Sequence, residues 1–341
     1  MSNEYSQLLD SLLNGNSLAE KQAYELMYKL AEGELPAALA GALLAGLRAK
    51  GETADEIRGF ATAMRELALH LDIPDGTPTV DTVGTGGDGS GSLNLSTGTG
   101  LLAAACGSRV VKHGNRSVSS RSGSADMLEC LGVPLPLHAQ QAVACLQATS
   151  FTFLFAPAYH PAMKAVVPIR GALSVRTVFN VLGPLTNPAA PPFQLIGAYS
   201  KDAARLMADT LAGMPLERAF VVHGEPGWDE ATPVGDFWLY DVRPGSVTES
   251  TRSPEDYDLQ RCQAKDLKGG DAEHNARELE RVFSGQDTGA HRDALLMGTS
   301  LVLEVKGDAR DALDGVEQAA AAIDDGRANT LLAKLREHFE S

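Results

Sequence analysis

At 341 residues the chain exceeds what one small core organises, and about two domains are expected. Its 44% hydrophobic and 21% charged content excludes a disordered polypeptide. A net charge of −15 argues against nucleic acid or an anionic membrane as partner, so an anionic ligand needs a local positive pocket or a metal ion.

Residues 1–72 read as helices only. Ser17-Leu18-Ala19-Glu20 and Thr53-Ala54-Asp55-Glu56 each spell a capping box ahead of apolar residues at helical spacing. Leu35 to Lys50 is rich in Ala and Leu and stops at Gly51, a residue suited to ending a helix. Four short helices are predicted. Their apolar faces suit a second copy of the chain, giving a homodimer, and suit the remainder of the same chain equally well. The opening MSNEYSQLLD has neither the basic start nor the apolar core of a signal peptide. No apolar run approaches the roughly 20 residues that span a bilayer, and a cytoplasmic location is expected. The four cysteines lack metal or redox spacing, with Cys106 and Cys145 read as buried thiols.

From Thr79 the pattern changes to strands alternating with helices. Apolar or β-branched runs at Thr79–Val83, Arg109–His113, Phe151–Phe155, Gln194–Tyr199 and Ala219–His223 are separated by helical segments such as Ser96–Cys106, Ala139–Ala148 and Lys201–Ala212. This spacing predicts an α/β fold around a central, mostly parallel sheet. Ala156–Pro188 is dense in proline, with a short helical piece near Ala162–Val167, and reads as a chain crossing where small-molecule clefts form. Arg243–Lys268 is hydrophilic, with irregular charge, and reads as covering the surface. Asp271–Phe339 returns to helix.

Gly84-Thr85-Gly86-Gly87-Asp88-Gly89 follows the first strand and literally matches a dinucleotide fingerprint. Three features oppose that reading. The helix starts too late, near Leu95–Ser96; Asp88 would face pyrophosphate; and the second strand ends in Lys112-His113 where a ribose-binding carboxylate is required. No Gly-Lys-Ser/Thr follows the glycines either. The turn is better read as a phosphate cradle extended by Asn94, Ser96 and Thr97 at the helix start, although Ser96 could be a plain helix cap. Lys112-His113-Gly114-Asn115-Arg116 ends the second strand at the same sheet edge. Lys112 and Arg116 could neutralise phosphate, Asn115 could donate to and accept from a second substrate, and His113 reads as structural or substrate-orienting. The serine-rich Ser117–Ser124 resembles an anion-binding lid, with Ser124 as a substrate contact. Asp229-Glu230 is a paired acid whose natural neutraliser is Mg²⁺ with phosphate oxygens.

In this order, GTGGDG, NLST, KHGNR, SGSADMLE with LGV, FAPAYHPAMK, RTVFN with LGPLTNP, and VVHGEPGWDE resemble the anthranilate phosphoribosyltransferase family. The resemblance implies a small all-helical domain, residues 1–75 joined by part of 160–190, and a larger α/β domain, residues 76–341. It implies a homodimer through the helices, phosphoribosyl diphosphate and anthranilate as substrates, Mg²⁺ as cofactor, and the second step of tryptophan biosynthesis. By motif, Gly84, Thr85, Gly87, Asp88, Asn94, Ser96, Thr97 and Lys112 would hold the phosphoribosyl diphosphate. Ser96, Asp229 and Glu230 would bind the metal. Gly84, Asn115 and Arg170 would face anthranilate, with Arg170 on its carboxylate and His113 and Pro184 lining the channel. Lys112, Asn115 and Arg170 are the catalytic candidates. A related enzyme for a different aromatic amine remains an alternative, because Gly227-Trp228 and Gly171–Val175 depart from the family pattern. A non-catalytic nucleic-acid-binding relative is the other, opposed by the charge.

Overall fold

The computed structural model describes residues 2–74, 78–117 and 121–340. Four helices open the chain: α1 (Ser2–Leu13), α2 (Glu20–Glu32), α3 (Ala37–Lys50) and α4 (Ala54–Glu66). A seven-stranded sheet follows, formed by β1 (Thr79–Gly84), β2 (Arg109–Gly114), β3 (Phe151–Phe155), β4 (Phe193–Gly197), β5 (Arg218–Gly224), β6 (Phe237–Arg243) and β7 (Ser246–Arg252). Between β1 and β3 lie α5 (Leu95–Ala105), α6 (Ser124–Cys130) and α7 (Ala139–Thr149). The chain then crosses through α8 (Ala156–Tyr159), α9 (Val167–Leu173) and α10 (Phe179–Leu182) to β4. Helix α11 (Lys201–Ala212) joins β4 to β5. Helices α12 (Ala272–Phe283), α13 (Ala290–Lys306), α14 (Ala312–Asp324) and α15 (Arg327–Glu340) complete the fold.

The sheet order is β3-β2-β1-β4-β5-β6-β7, with β1 to β5 parallel and β6 and β7 antiparallel. Side chains alternate across a strand, and β5 shows the consequence. Phe220 and Val222 enter one core with Leu101, Leu295 and Leu331 of α5, α13 and α15. Ala219 and Val221 enter another with Met207 and Leu211 of α11 and with Leu26, Leu43 and Phe60 of the opening helices. The opening helices therefore cover one face of the sheet, and Val166, Val178 and Phe179 from the crossing segment share that core.

One local expectation is extended and two are corrected. The stretch Arg243–Lys268 contains an edge strand, β7, joined to β6 by the two-residue turn Pro244-Gly245, with Gly245 at φ 71°. The alternation Val247-Thr248-Glu249-Ser250-Thr251 was the available signal. Ser17 caps nothing: α2 starts later, with Ala19 as its cap, and the Ser17 hydroxyl instead receives a bond from Lys50 Nζ at 3.1 Å. Cys145 is buried, but Cys106 is only half-buried.

The second capping box forms and becomes a hub. Glu56 is fully buried and accepts from Leu18 N at 2.7 Å, Thr53 N at 2.8 Å, Thr53 Oγ1 at 3.1 Å and Lys50 Nζ at 3.0 Å. One carboxylate thus ties the approach to α2, the end of α3 and the start of α4. Removing it strands an almost completely covered ammonium and two backbone donors. Glu56→Ala is expected to cost about 3–5 kcal/mol, read by urea denaturation, with Glu56→Gln well below that. A loss under about 1 kcal/mol for the alanine variant would remove the hub role.

Candidate active site

The strand order reverses at β1. The chain proceeds from β1 to β2 and β3 on one side, then returns to lay β4 and β5 on the other. Gly84 and Gly197, the last residues of β1 and β4, are register partners. Open α/β sheets bind ligands in the crevice at the strands' carboxyl ends where such a reversal occurs. Here the loop after β5 lies across that crevice. A Cβ on Gly197 would overlap the Asp229 carbonyl oxygen, and one on Gly84 would overlap the Asp229 carboxylate, so only glycine admits the loop.

The glycine turn is fastened to this loop. Gly86 N donates to Asp229 Oδ2 at 2.6 Å, and Asp229 N donates to Asp88 Oδ2 at 3.3 Å. Asp88 Oδ1 also accepts from Ser90 N and Ser90 Oγ, at 3.0 and 2.9 Å. Thr85 N reaches Gly197 O at 2.9 Å, while its hydroxyl accepts from Tyr199 N at 3.0 Å. Gly87 is exposed at the tip.

Helix α5 begins at Leu95 with Asn94 as its cap, so Ser96 is its second residue rather than a cap. Ser96 N donates to Glu230 Oε1 at 3.1 Å, and Ser96 Oγ accepts from Lys112 Nζ at 3.2 Å. Asn94 Oδ1 accepts from Ser122 Oγ at 2.9 Å and Asn275 Nδ2 at 2.8 Å, which ties the helix start to the serine-rich segment and to α12. Thr97 is fully buried, and its hydroxyl has no partner among the described residues.

Lys112 lies beneath the helix start, almost fully covered, and also donates to the Thr82 carbonyl. Burial pulls its ammonium down, opposed by Asp81, Glu230 and Asp229. Burial lifts both Asp229 and Glu230 above the usual carboxylate range, helped by Asp88 beside Asp229 and by Asp229 and Asp88 beside Glu230. Ionising these crowded acids beside a single buried cation is therefore costly, and a divalent cation relieves that cost. Asp81, overlooked in the sequence, is fully buried below them and lifted by burial to about 6. It accepts from His113 N at 3.2 Å and Asn187 Nδ2 at 2.8 Å.

The remaining candidates come from the crossing segment, from the end of β2 and from the start of α6. Arg170 is half-buried on α9, with its guanidinium over the Phe179 ring at 5.1 Å and no carboxylate partner among the described residues. Asn115 is exposed, and Pro184 is buried. His113 packs against His160, ring centroids 5.1 Å apart. Ser124 opens α6 and is half-buried.

Arg116 is a correction. Its guanidinium is held by Glu129, through bonds of 2.6 Å to each oxygen, and by Asp126 at 3.0 Å. Acids one and two turns along α6 reach it first, so it does not neutralise phosphate. Of the lid read over Ser117–Ser124, residues 118–120 lie outside the described residues. Its two flanks meet at Asp126, which accepts from Ser117 N at 3.0 Å and Gly123 N at 2.9 Å. Sequence reasoning also missed Arg176, which bonds the Gly87 carbonyl at 2.5 Å, although it begins the RTVFN motif.

His113 and His160 are neutral in the fold. Burial, first in each case, pulls His113 down to about 3 and His160 to about 4. An unfolded chain protonates both near 6.5, so acid favours unfolding. Their contribution is complete above about 6.5 and is lost as pH falls, by about 1.4 kcal/mol per pH unit for each ring. Urea unfolding followed from about pH 7 to 5 should therefore show a shallower loss in His160→Gln than in the parent. Parallel losses would contradict the buried neutral pair.

The chain matches the glycosyl transferase family, helical bundle domain, over residues 6–68 and the glycosyl transferase family, a/b domain, over residues 76–329. It is 42% identical over 344 residues to the anthranilate phosphoribosyltransferase of Syntrophotalea carbinolica, covering 96% of this chain and 97% of that one. The crystal structure of the Thermus thermophilus anthranilate phosphoribosyltransferase superposes with a TM-score of 0.91 at 39% identity, covering 98% and 99% of the two chains. The Saccharomyces cerevisiae enzyme in complex with PRPP and Mg gives 0.90 at 26% identity, covering 100% and 99%. Alike in sequence from end to end and in fold throughout, this chain belongs to the anthranilate phosphoribosyltransferase family.

Proposed function

We propose that this chain transfers the phosphoribosyl group of 5-phosphoribosyl 1-diphosphate to anthranilate, giving N-(5-phosphoribosyl)anthranilate and pyrophosphate in tryptophan biosynthesis. The observation that carries the reading is the meeting, at one strand-order reversal, of a glycine turn, a helix start and an acid pair.

The N–H groups of the turn Gly87–Gly89 and the positive end of α5 take the diphosphate. Asp88, Asn94 and Thr85 position the ribose and its phosphates, with Lys112 supplying buried positive charge below Ser96. Asp229 and Glu230, with the Ser96 hydroxyl beside them, would hold Mg²⁺. Such a cation would take its further ligands from diphosphate and water. When bound, Mg²⁺ stabilises the charge that the leaving group gains.

Arg170 pairs the anthranilate carboxylate, while Asn115, Gly84, His113 and Pro184 line the acceptor's approach and Ser124 is a substrate contact from the serine-rich segment. The aniline nitrogen is neutral at pH 7 and needs no strong base to attack. As its bond to the anomeric carbon forms, the C–O bond breaks, the electron pair leaves with pyrophosphate, and an amine proton goes to solvent or pyrophosphate. The buried neutral histidines are poor proton acceptors, so catalysis rests on positioning and charge stabilisation. Inversion at the anomeric carbon follows.

Residues 1–75, joined by part of 160–190, act in this reading as a helical domain beside a phosphoribosyl-diphosphate-binding domain of residues 76–341. Two copies pair through the helical domain, where Leu13 and Val167 are exposed apolar residues; sedimentation of a monomer would overturn that pairing. No helix among the described residues is long and apolar enough to cross a membrane, in keeping with a cytoplasmic biosynthetic enzyme.

Purified protein with Mg²⁺ and phosphoribosyl diphosphate should consume anthranilate fluorescence, and a chelator should stop it. Turnover of another aryl amine but not anthranilate would overturn the acceptor. Arg170→Ala removes a charge-assisted pair of about 1.5–3 kcal/mol, so the anthranilate KM should rise roughly ten- to hundredfold with kcat little changed. An unaltered KM would take Arg170 out of the acceptor site.

A further inference from the structure

We infer that Arg176 is a positioning residue for the diphosphate-binding turn, a role that rests on the reading above. Arg176 lies in the crossing segment between α9 and α10 and is exposed. Its Nη2 donates to the Gly87 carbonyl at 2.5 Å, and its guanidinium carbon lies 4.0 Å from the centroid of the Tyr199 ring. Tyr199 is fixed to the same turn, since its N–H donates to Thr85 Oγ1. From the other side, Arg48 Nη1 on α3 donates to the Arg176 carbonyl at 2.5 Å. A strap therefore runs from the helical part of the molecule to the tip of the turn.

The turn needs such a strap. Gly86, Gly87, Gly89 and Gly91 all take positive φ, between 60° and 75°, in a segment whose glycines leave many other conformations open. Its N–H groups serve a diphosphate only if one conformation is selected beforehand. Asp229 fixes the Gly86 N–H, and Arg176 fixes the carbonyl of the following residue, Gly87. Because a trans peptide points its C=O and N–H in opposite directions, holding the Gly87 carbonyl outward sets the Asp88 N–H pointing away from Arg176. A planar guanidinium can donate and stack at once, which an ammonium does less well.

The test uses Arg176→Ala, Arg176→Lys and Tyr199→Leu in the full chain. Amide hydrogen exchange over residues 84–91 of ligand-free Arg176→Ala should quicken about tenfold, and the KM for phosphoribosyl diphosphate should rise about tenfold, the worth of one charge-assisted hydrogen bond. The anthranilate KM at saturating donor and the melting temperature should stay unchanged. Arg176→Lys should recover part of the donor KM, and Tyr199→Leu should show a smaller change of the same kind. Unchanged exchange, quickened exchange without a donor KM effect, or equal rises in both KM values would each overturn the role. The exchange readout stands even if the parent fails to turn over anthranilate, which separates this failure from that of the proposed reaction.

Discussion

The Asp229-Glu230 loop can lie across the carboxyl ends of β1 and β4 because Gly84 and Gly197 carry no side chains there. That close approach organises the site. It brings an acid from beyond β5 against the Gly86 amide and its neighbour against the first turn of α5. Residues separated by more than a hundred positions in the sequence then act on one small volume. Any larger residue at Gly197 would lift the loop from the crevice and separate the acids from the glycine turn.

The electrostatics follow from the same placement. Asp88, Asp229 and Glu230 crowd together over a single buried ammonium, Lys112, in a chain that is already strongly acidic. Crowding of this kind is what a divalent cation relieves, and the proposed reaction supplies one together with its phosphorylated substrate. Asp81 and Asn187 lie underneath, holding the backbone of β2 at His113 and Val111. The His113–His160 pair is buried and uncharged, and the Arg170 guanidinium lies over the Phe179 ring.

The parts of this arrangement that depend on short-range chemistry were readable beforehand. Glycines after a β-branched run announced the turn, the late helix start removed the dinucleotide reading, and Thr53-Glu56 announced a capping box that does form. Other features were decided by partners far away in sequence. Ser17 lost its capping role to Ala19, because the helix starts two residues later. Arg116 looked available for phosphate until α6 placed Asp126 and Glu129 beside it. Strand β7 is polar on both sides because it is an edge strand, so its alternation carried little apolar contrast.

What the sequence determined by itself was therefore the class of fold, the position of the glycine turn, and the family, because periodicity, glycine placement and motif order can be read along the chain. The strand order, the crevice at its reversal, the buried acid surplus and the Arg48–Arg176–Gly87 strap were decided only by tertiary structure. Each of these depends on which distant backbone approaches which, and such approaches are set by how the two faces of the sheet bury their helices.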